Sequence, residues 1–151
     1  MPLAHLMSLH SAVWRVHCSA VDDIALIESA LAWLAGDGVE LTREKSKSYH
    51  GAPQLILEAS ITKKRDAQEA FVRLGKQTLE ELLHNGISSH IDENKILHLR
   101  IDIDDLVQGR VRLARGVERK MAAKGRFKIE SYPGEKPETV IVKLIEECLE
   151  S

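Results

Sequence analysis

Between residues 10 and 19 the chain alternates, with Ala12, Trp14, Val16 and Cys18 on one side and Ser11, Arg15 and His17 on the other, the period of a strand with one buried face. Asp22 and Asp23 then precede Ile24, Ile27, Leu31 and Leu34 at helical spacing, and Gly36 and Gly38 close the run, so a helix is predicted over residues 23–35. Residues 39–48 alternate with few apolar members, whereas residues 54–61 hold Leu55, Ile56, Leu57 and Ile61 in a compact run. His50-Gly51 and Pro53 between them are turn formers, and the pair reads as a hairpin. Asp66 and Glu69 have the spacing of a capping box ahead of Phe71, Leu74, Thr78 and Leu82, which predicts one long helix ending at Asn85-Gly86. Gly75 inside it marks a kink or a close approach to the sheet.

The stretch "KILHLRIDI", residues 95–103, is the clearest strand: Leu97, Leu99, Ile101 and Ile103 share one side, and Ile96, His98, Arg100 and Asp102 the other. Alternation predicts two more strands, residues 110–114 and residues 125–131 with Phe127 and Ile129 inward, joined by residues 117–124 as a helical turn or loop. The last segment, residues 138–149, carries Val140, Ile141, Leu144, Ile145, Cys148 and Leu149 as one helical stripe. The order β-α-β-β-α-β-β-β-α predicts an α+β fold, a mainly antiparallel sheet with helices packed on one face.

Length bounds the architecture to one domain, since 151 residues, 44% hydrophobic, suffice for a single substantial core. Charge adds more. The segment "RVRLARGVERKMAAKGRFK", residues 110–128, sets eight Lys or Arg against the single acid Glu118, a local charge of +7 in a chain of net charge −2, so the remainder carries −9. Such asymmetry points to a polyanionic partner, the bland alternative being a solvated face. Cys18 and Cys148 lie far apart with no CxxC, which fits a reducing compartment, and no apolar run approaches the ~20 residues of a membrane span. The expected location is the cytoplasm.

Two basic elements emerge from the pattern. If residues 110–114 and 125–131 form a hairpin, Arg110, Arg112, Arg126 and Lys128 lie on its polar side, and the connection adds Arg119, Lys120 and Lys124. Arg43, Lys45 and Lys47 alternate along the second strand, beside Tyr49 and His50 at the turn. Surfaces of this kind suit phosphate backbones, and Tyr and His suit bases. No RNP-like or GXXG signature accompanies them.

An enzyme reading rests on "IDIDD", where Asp102 and Asp104 share a strand side and suggest a Mg²⁺ pair for nuclease chemistry. A carboxylate capping the following turn is the stronger explanation, because no third carboxylate or base has suggestive spacing. The seven histidines show no H-x-x-x-H or H-E-x-x-H spacing, "LGKQT" lacks the first glycine of a P-loop, and G-x-S-x-G and dinucleotide fingerprints are missing. No metal and no cofactor is expected.

The motifs "YHGAPQLILEASI" and "LHLRIDIDDLVQGRVRL" resemble those of archaeal predicted RNA-binding proteins described as exosome-associated, with a fold like that of the large-subunit ribosomal protein that binds 5S RNA. His50, Gly51, Arg100, Asp102 and Gly109 match the family pattern, whereas Ala52 replaces an Asn, and Ile103 and Asp104 stand where Lys-Gln is typical. The resemblance implies a noncatalytic RNA-binding protein, an accessory factor in RNA processing or degradation, with RNA and exosome or other RNA-processing proteins as partners. The residues expected to contact RNA are the two basic elements, with Arg100 and His50 making the more specific contacts. A rival from another class is a protein-interaction subunit of an RNA-processing assembly that docks its basic hairpin on an acidic partner without touching RNA. A metal-dependent nuclease is the third reading.

Overall fold

The computed structural model describes residues 8–47, 50–116 and 122–150. Five strands form one antiparallel sheet: β1 (Leu9–Ser19), β2 (Leu41–Lys47), β3 (Pro53–Ile61), β4 (Ile96–Asp102) and β5 (Ala122–Ile129), in the order β2-β3-β1-β5-β4. The helices are α1 (Ile24–Ala35), α2 (Lys64–Val72), α3 (Lys76–His84), the four-residue α4 (Ile103–Leu106) and α5 (Pro137–Glu150), with a 3₁₀ turn at Ile87–His90. This is the α+β architecture that the alternation predicts.

Register shows how alternation becomes two faces. Ala12, Trp14 and Val16 of β1 align with Ile61, Ala59 and Leu57 of β3, while Phe127 and Gly125 of β5 align with Leu97 and Leu99 of β4. All of these but Gly125 join the buried faces of the helices, among them Leu31, Phe71, Leu79, Leu82, Ile141 and Leu144, in one apolar cluster. The helices therefore pack on one side only. Trp14 stands edge-on to Phe127 at 5.6 Å between ring centroids, and Phe127 edge-on to Phe71 at 5.4 Å. Directly beneath the Trp14 ring lies Gly125, where a Cβ would come within 2.6 Å of the indole, so only glycine lets β5 pass under it.

Three expectations need correction. The long second helix is two: Gly75 has φ +89°, a conformation helices exclude, and it separates α2 from α3. Asp66 is not a cap but sits in the first turn of α2, where its charge meets the positive end of the helix; Lys63 holds the cap position without a side-chain bond. Residues 110–114 form no strand paired to the segment that follows. They run along the other edge of β4, through a single bridge between Leu113 and Ile101 and backbone bonds from Asp102 N to Arg112 O and from Ala114 N to Arg100 O, both 2.9 Å. The Thr78 hydroxyl of α3 donates to Val111 O at 3.2 Å and ties the segment down. A hairpin of residues 110–114 with β5 is thereby excluded, because β4 lies between them.

Candidate nucleic-acid interface

The helix-free face of the sheet is built by the residues that alternate out of phase with the core. Along β5 these are Lys124, Arg126 and Lys128; along β1, Arg15 and His17; along β4, His98 and Arg100. Cross-strand register sets Arg15 opposite Lys124 and Lys124 opposite Arg100, so three cations stand in a row over three adjacent strands. Neighbouring strands are about 4.8 Å apart, and like charges directly opposite one another destabilise a sheet. The next row places Val13, Arg126 and His98 side by side, and the one after it Ser11, Lys128 and Ile96.

Only part of this charge is neutralised. Arg15 is bonded to Glu58, its neighbour on β3, and the Lys128 ammonium donates to Asn94 O at 2.7 Å. Lys124 and Arg126 have no ion-pair partner among the described residues. The local potential registers on His17: burial, then Lys124, with Arg15 adding to them, lower its pKa, against an opposing hydrogen bond with Gln54. At neutral pH this imidazole is accordingly held in its uncharged form.

The other basic residues fall elsewhere. Arg43, Lys45 and Lys47 align with Leu57, Leu55 and Pro53, which puts them on the helix side of the edge strand β2. There Arg43 grips Glu28 of α1 through two bonds of 2.7 Å, raising its own pKa and lowering that of the carboxyl. Arg110 and Arg112 both turn to Asp105, at 2.9 and 2.6 Å, whose pKa falls because of Arg112 and then Arg110. His50 is exposed at the β2–β3 turn, with β1 standing between that hairpin and β5. Arg119 and Lys120 lie outside the described residues, as does Tyr49. The ten described candidates thus do not form one surface: Arg100, Lys124, Arg126 and Lys128 come together, and Arg15, His17 and His98 join them. Those three were visible as the polar side of their strands, but which strand stands next to which is not written in local alternation.

The "IDIDD" carboxylates are also accounted for. The strand ends at Asp102, which caps α4 by accepting from Asp105 N at 3.0 Å and lies 3.5 Å from the Arg112 guanidinium. Asp104 belongs to α4 and is exposed, so the two no longer share a strand side. Among the described residues no three His, Cys, Asp or Glu side chains are grouped to hold a metal, and no helix is long and apolar enough to cross a membrane.

A cationic row on an open β-sheet face is an arrangement whose electrostatics suit a polyanion. The family is then direct: residues 12–141 match the family model described as RNA binding, and the chain belongs to that family. Solved archaeal structures share the fold. The DUF54 protein AF2318 from Archaeglobus fulgidus is similar with a TM-score of 0.74 at 26% identity, covering 93% of this chain and 99% of its own. Mth689, a DUF54 protein from Methanothermobacter thermautotrophicus, gives 0.71 at 23% identity over 94% and 98% of the two chains. A UPF0201 protein from Methanococcus jannaschii gives 0.60 at 10% over 89% and 98%, which shows likeness of fold alone. No curated protein matches the chain.

Proposed function

We propose that this protein is a noncatalytic RNA-binding protein whose helix-free sheet face grips the phosphate backbone, acting in the cytoplasm as an accessory factor in RNA processing or degradation. The observation that carries the reading is the cross-strand row Arg15–Lys124–Arg100, extended along β5 by Arg126 and Lys128. Lys124 lies between Arg15 and Arg100, and like charges opposite one another cost stability; neither Lys124 nor Arg126 has an ion-pair partner among the described residues, and phosphates would supply their counter-charge. The family description supports RNA as the polyanion. Association with an exosome rests on the sequence resemblance, and the 151 residues are taken to act as one unit.

The test is fluorescence anisotropy with labelled RNA over a salt series, comparing the wild type with the double variant Lys124→Glu/Arg126→Glu. Weaker binding to RNAs of every sequence, with a shallower salt dependence, supports the sheet face. Unchanged affinity in a folded variant removes it.

A second reading, a protein-interaction subunit, is favoured by α1, where Trp33 is 51% and Leu26 46% exposed on the side turned away from the core. Pull-down before and after RNase treatment separates the two: a protein partner retained without RNA and lost in Trp33→Ala favours the interaction reading.

A further inference from the structure

The basic face does not end at β4. Beside that strand, the C-terminal turn of α3, the 3₁₀ turn and the segment from Leu113 to Gly116 bound a bay of about 1530 Å³, whose lining also includes His98, Arg100, Lys124 and Arg126. The bay and the cationic row therefore share residues. A pocket for one small ligand usually occupies ~300–1,000 Å³, so the space suits a segment of a polymer better than a free metabolite.

Its two sides differ in chemistry. On the sheet side are the cations. On the helix side stand the imidazoles of His84 and His90, with the amides of Asn85 and Gln77. Three histidines from three separate elements, His84 from α3, His90 from the 3₁₀ turn and His98 from β4, thus line one bay. Carboxylates on the helix side are unsuited to phosphate, and two of them are already engaged: Glu81 with Arg115 at 2.7 Å, and Asp92 with His98 at 2.7 Å and with the N–H groups of Asn94 and Ile96. Imidazole planes stack on bases, and amide groups both donate to and accept from base edges.

We infer that the bay takes the bases of unpaired nucleotides while their phosphates remain on Lys124 and Arg126, so that the protein recognises a single-stranded segment of its RNA. The inference rests on the sheet-face reading and deepens it. Paired bases are not the ligand, because in an A-form duplex they stack on one another, which closes their faces to imidazole, and the deep, narrow major groove keeps side chains from their edges there. A 3′ overhang or a loop presents them.

The experiment is anisotropy with three labelled RNAs: a blunt duplex, the same duplex with a single-stranded 3′ overhang, and the overhang strand alone. Each is titrated with the wild type and with the double variant His84→Ala/His90→Ala, whose folding is checked by circular dichroism. The overhang should raise wild-type affinity by about tenfold or more, the scale of one or more base-stacking contacts, and His84→Ala/His90→Ala should bring overhang affinity down towards that of the blunt duplex. Equal wild-type affinity for blunt and overhanging duplexes overturns the bay and leaves the sheet face standing. An overhang advantage that survives intact in the folded histidine variant overturns it equally. Failure of the wild type to bind any of the three overturns both readings together.

Discussion

β2 and β5 look alike in the sequence. Each sets three cations at alternate positions, Arg43, Lys45 and Lys47 on one, Lys124, Arg126 and Lys128 on the other. Their fates differ because of two facts about the sheet. β2 is an edge strand whose cations project to the helix side, and there Glu28 of α1 claims the first of them. β5 lies inside the sheet with its cations on the helix-free face, flanked by Arg15 on one side and Arg100 on the other. The edge cations do what edge lysines commonly do, blunting a strand that would otherwise template pairing with another chain. Those of β5 have no such task, and Lys124 stands directly between the like charges of Arg15 and Arg100. A third basic group, the pair Arg110 and Arg112, is engaged by Asp102 and Asp105 and braces α4 against β4. Equal charge density along the chain thus yields one candidate binding surface and two structural uses.

The sharpest way to break this comparison is charge reversal in parallel. Lys124→Glu/Arg126→Glu should weaken RNA binding on the order of a hundredfold at about 0.1 M salt, since each lost phosphate contact is worth about tenfold there. Lys45→Glu/Lys47→Glu, with the same change in net charge, should cost less than about fivefold, the share that long-range attraction alone supplies. Equal losses in the two variants would mean that only overall charge matters and that the sheet face has no special standing.

Gly125→Ala comes next and acts on the platform beneath the cations. The added methyl meets the Trp14 ring, and overpacking of this kind costs about 1–3 kcal/mol, read as a fall in the urea midpoint. Restored stability in Gly125→Ala/Trp14→Leu would confirm that the indole is the obstacle.

Arg112→Ala probes the structural use of a basic residue. It leaves the Asp102 carboxyl, whose residue is 3% exposed, without its guanidinium, and should cost about 1–2 kcal/mol of stability while changing RNA affinity less than twofold. A large loss of RNA affinity in a stable Arg112→Ala would move the interface towards α4. Because the Asp105 pKa is lowered in the folded state, the stability it contributes is present above its unfolded value and is lost as pH falls through the folded one.

The smallest effect is expected from His17. Its pKa is depressed in the free protein, and phosphates placed over Lys124 and Arg15 would raise it, so binding takes up a proton and affinity should rise as pH falls through the raised pKa of the bound form. A few-fold gain between about pH 7.5 and 5.5, flattened in His17→Gln, is the expected result; a wild-type profile identical to that of His17→Gln would place the phosphates away from β1.

Legibility in the sequence follows the range of the signal. Trp14, Phe127 and Leu97 declare themselves by period two, and Leu31 and Leu144 by period 3.6, because burial of one face imposes those periods on the chain itself. Gly75 announced an interruption, but its consequence was decided by a positive φ, which propensity along an otherwise helical stretch does not reveal. Residues 110–114 alternate like a strand, yet pair with β4 through one bridge only, and local alternation does not carry that difference.

The chain alone therefore determined the α+β class, the core side of β1, β4 and β5 and the presence of a concentrated basic segment, all properties that neighbours in sequence impose on one another. Which cations stand together was decided only when β1 entered between β3 and β5 and β4 closed the edge. Arg15, Lys124 and Arg100 are far apart in sequence, and the row they form is a property of strand order and register, which long-range packing selects.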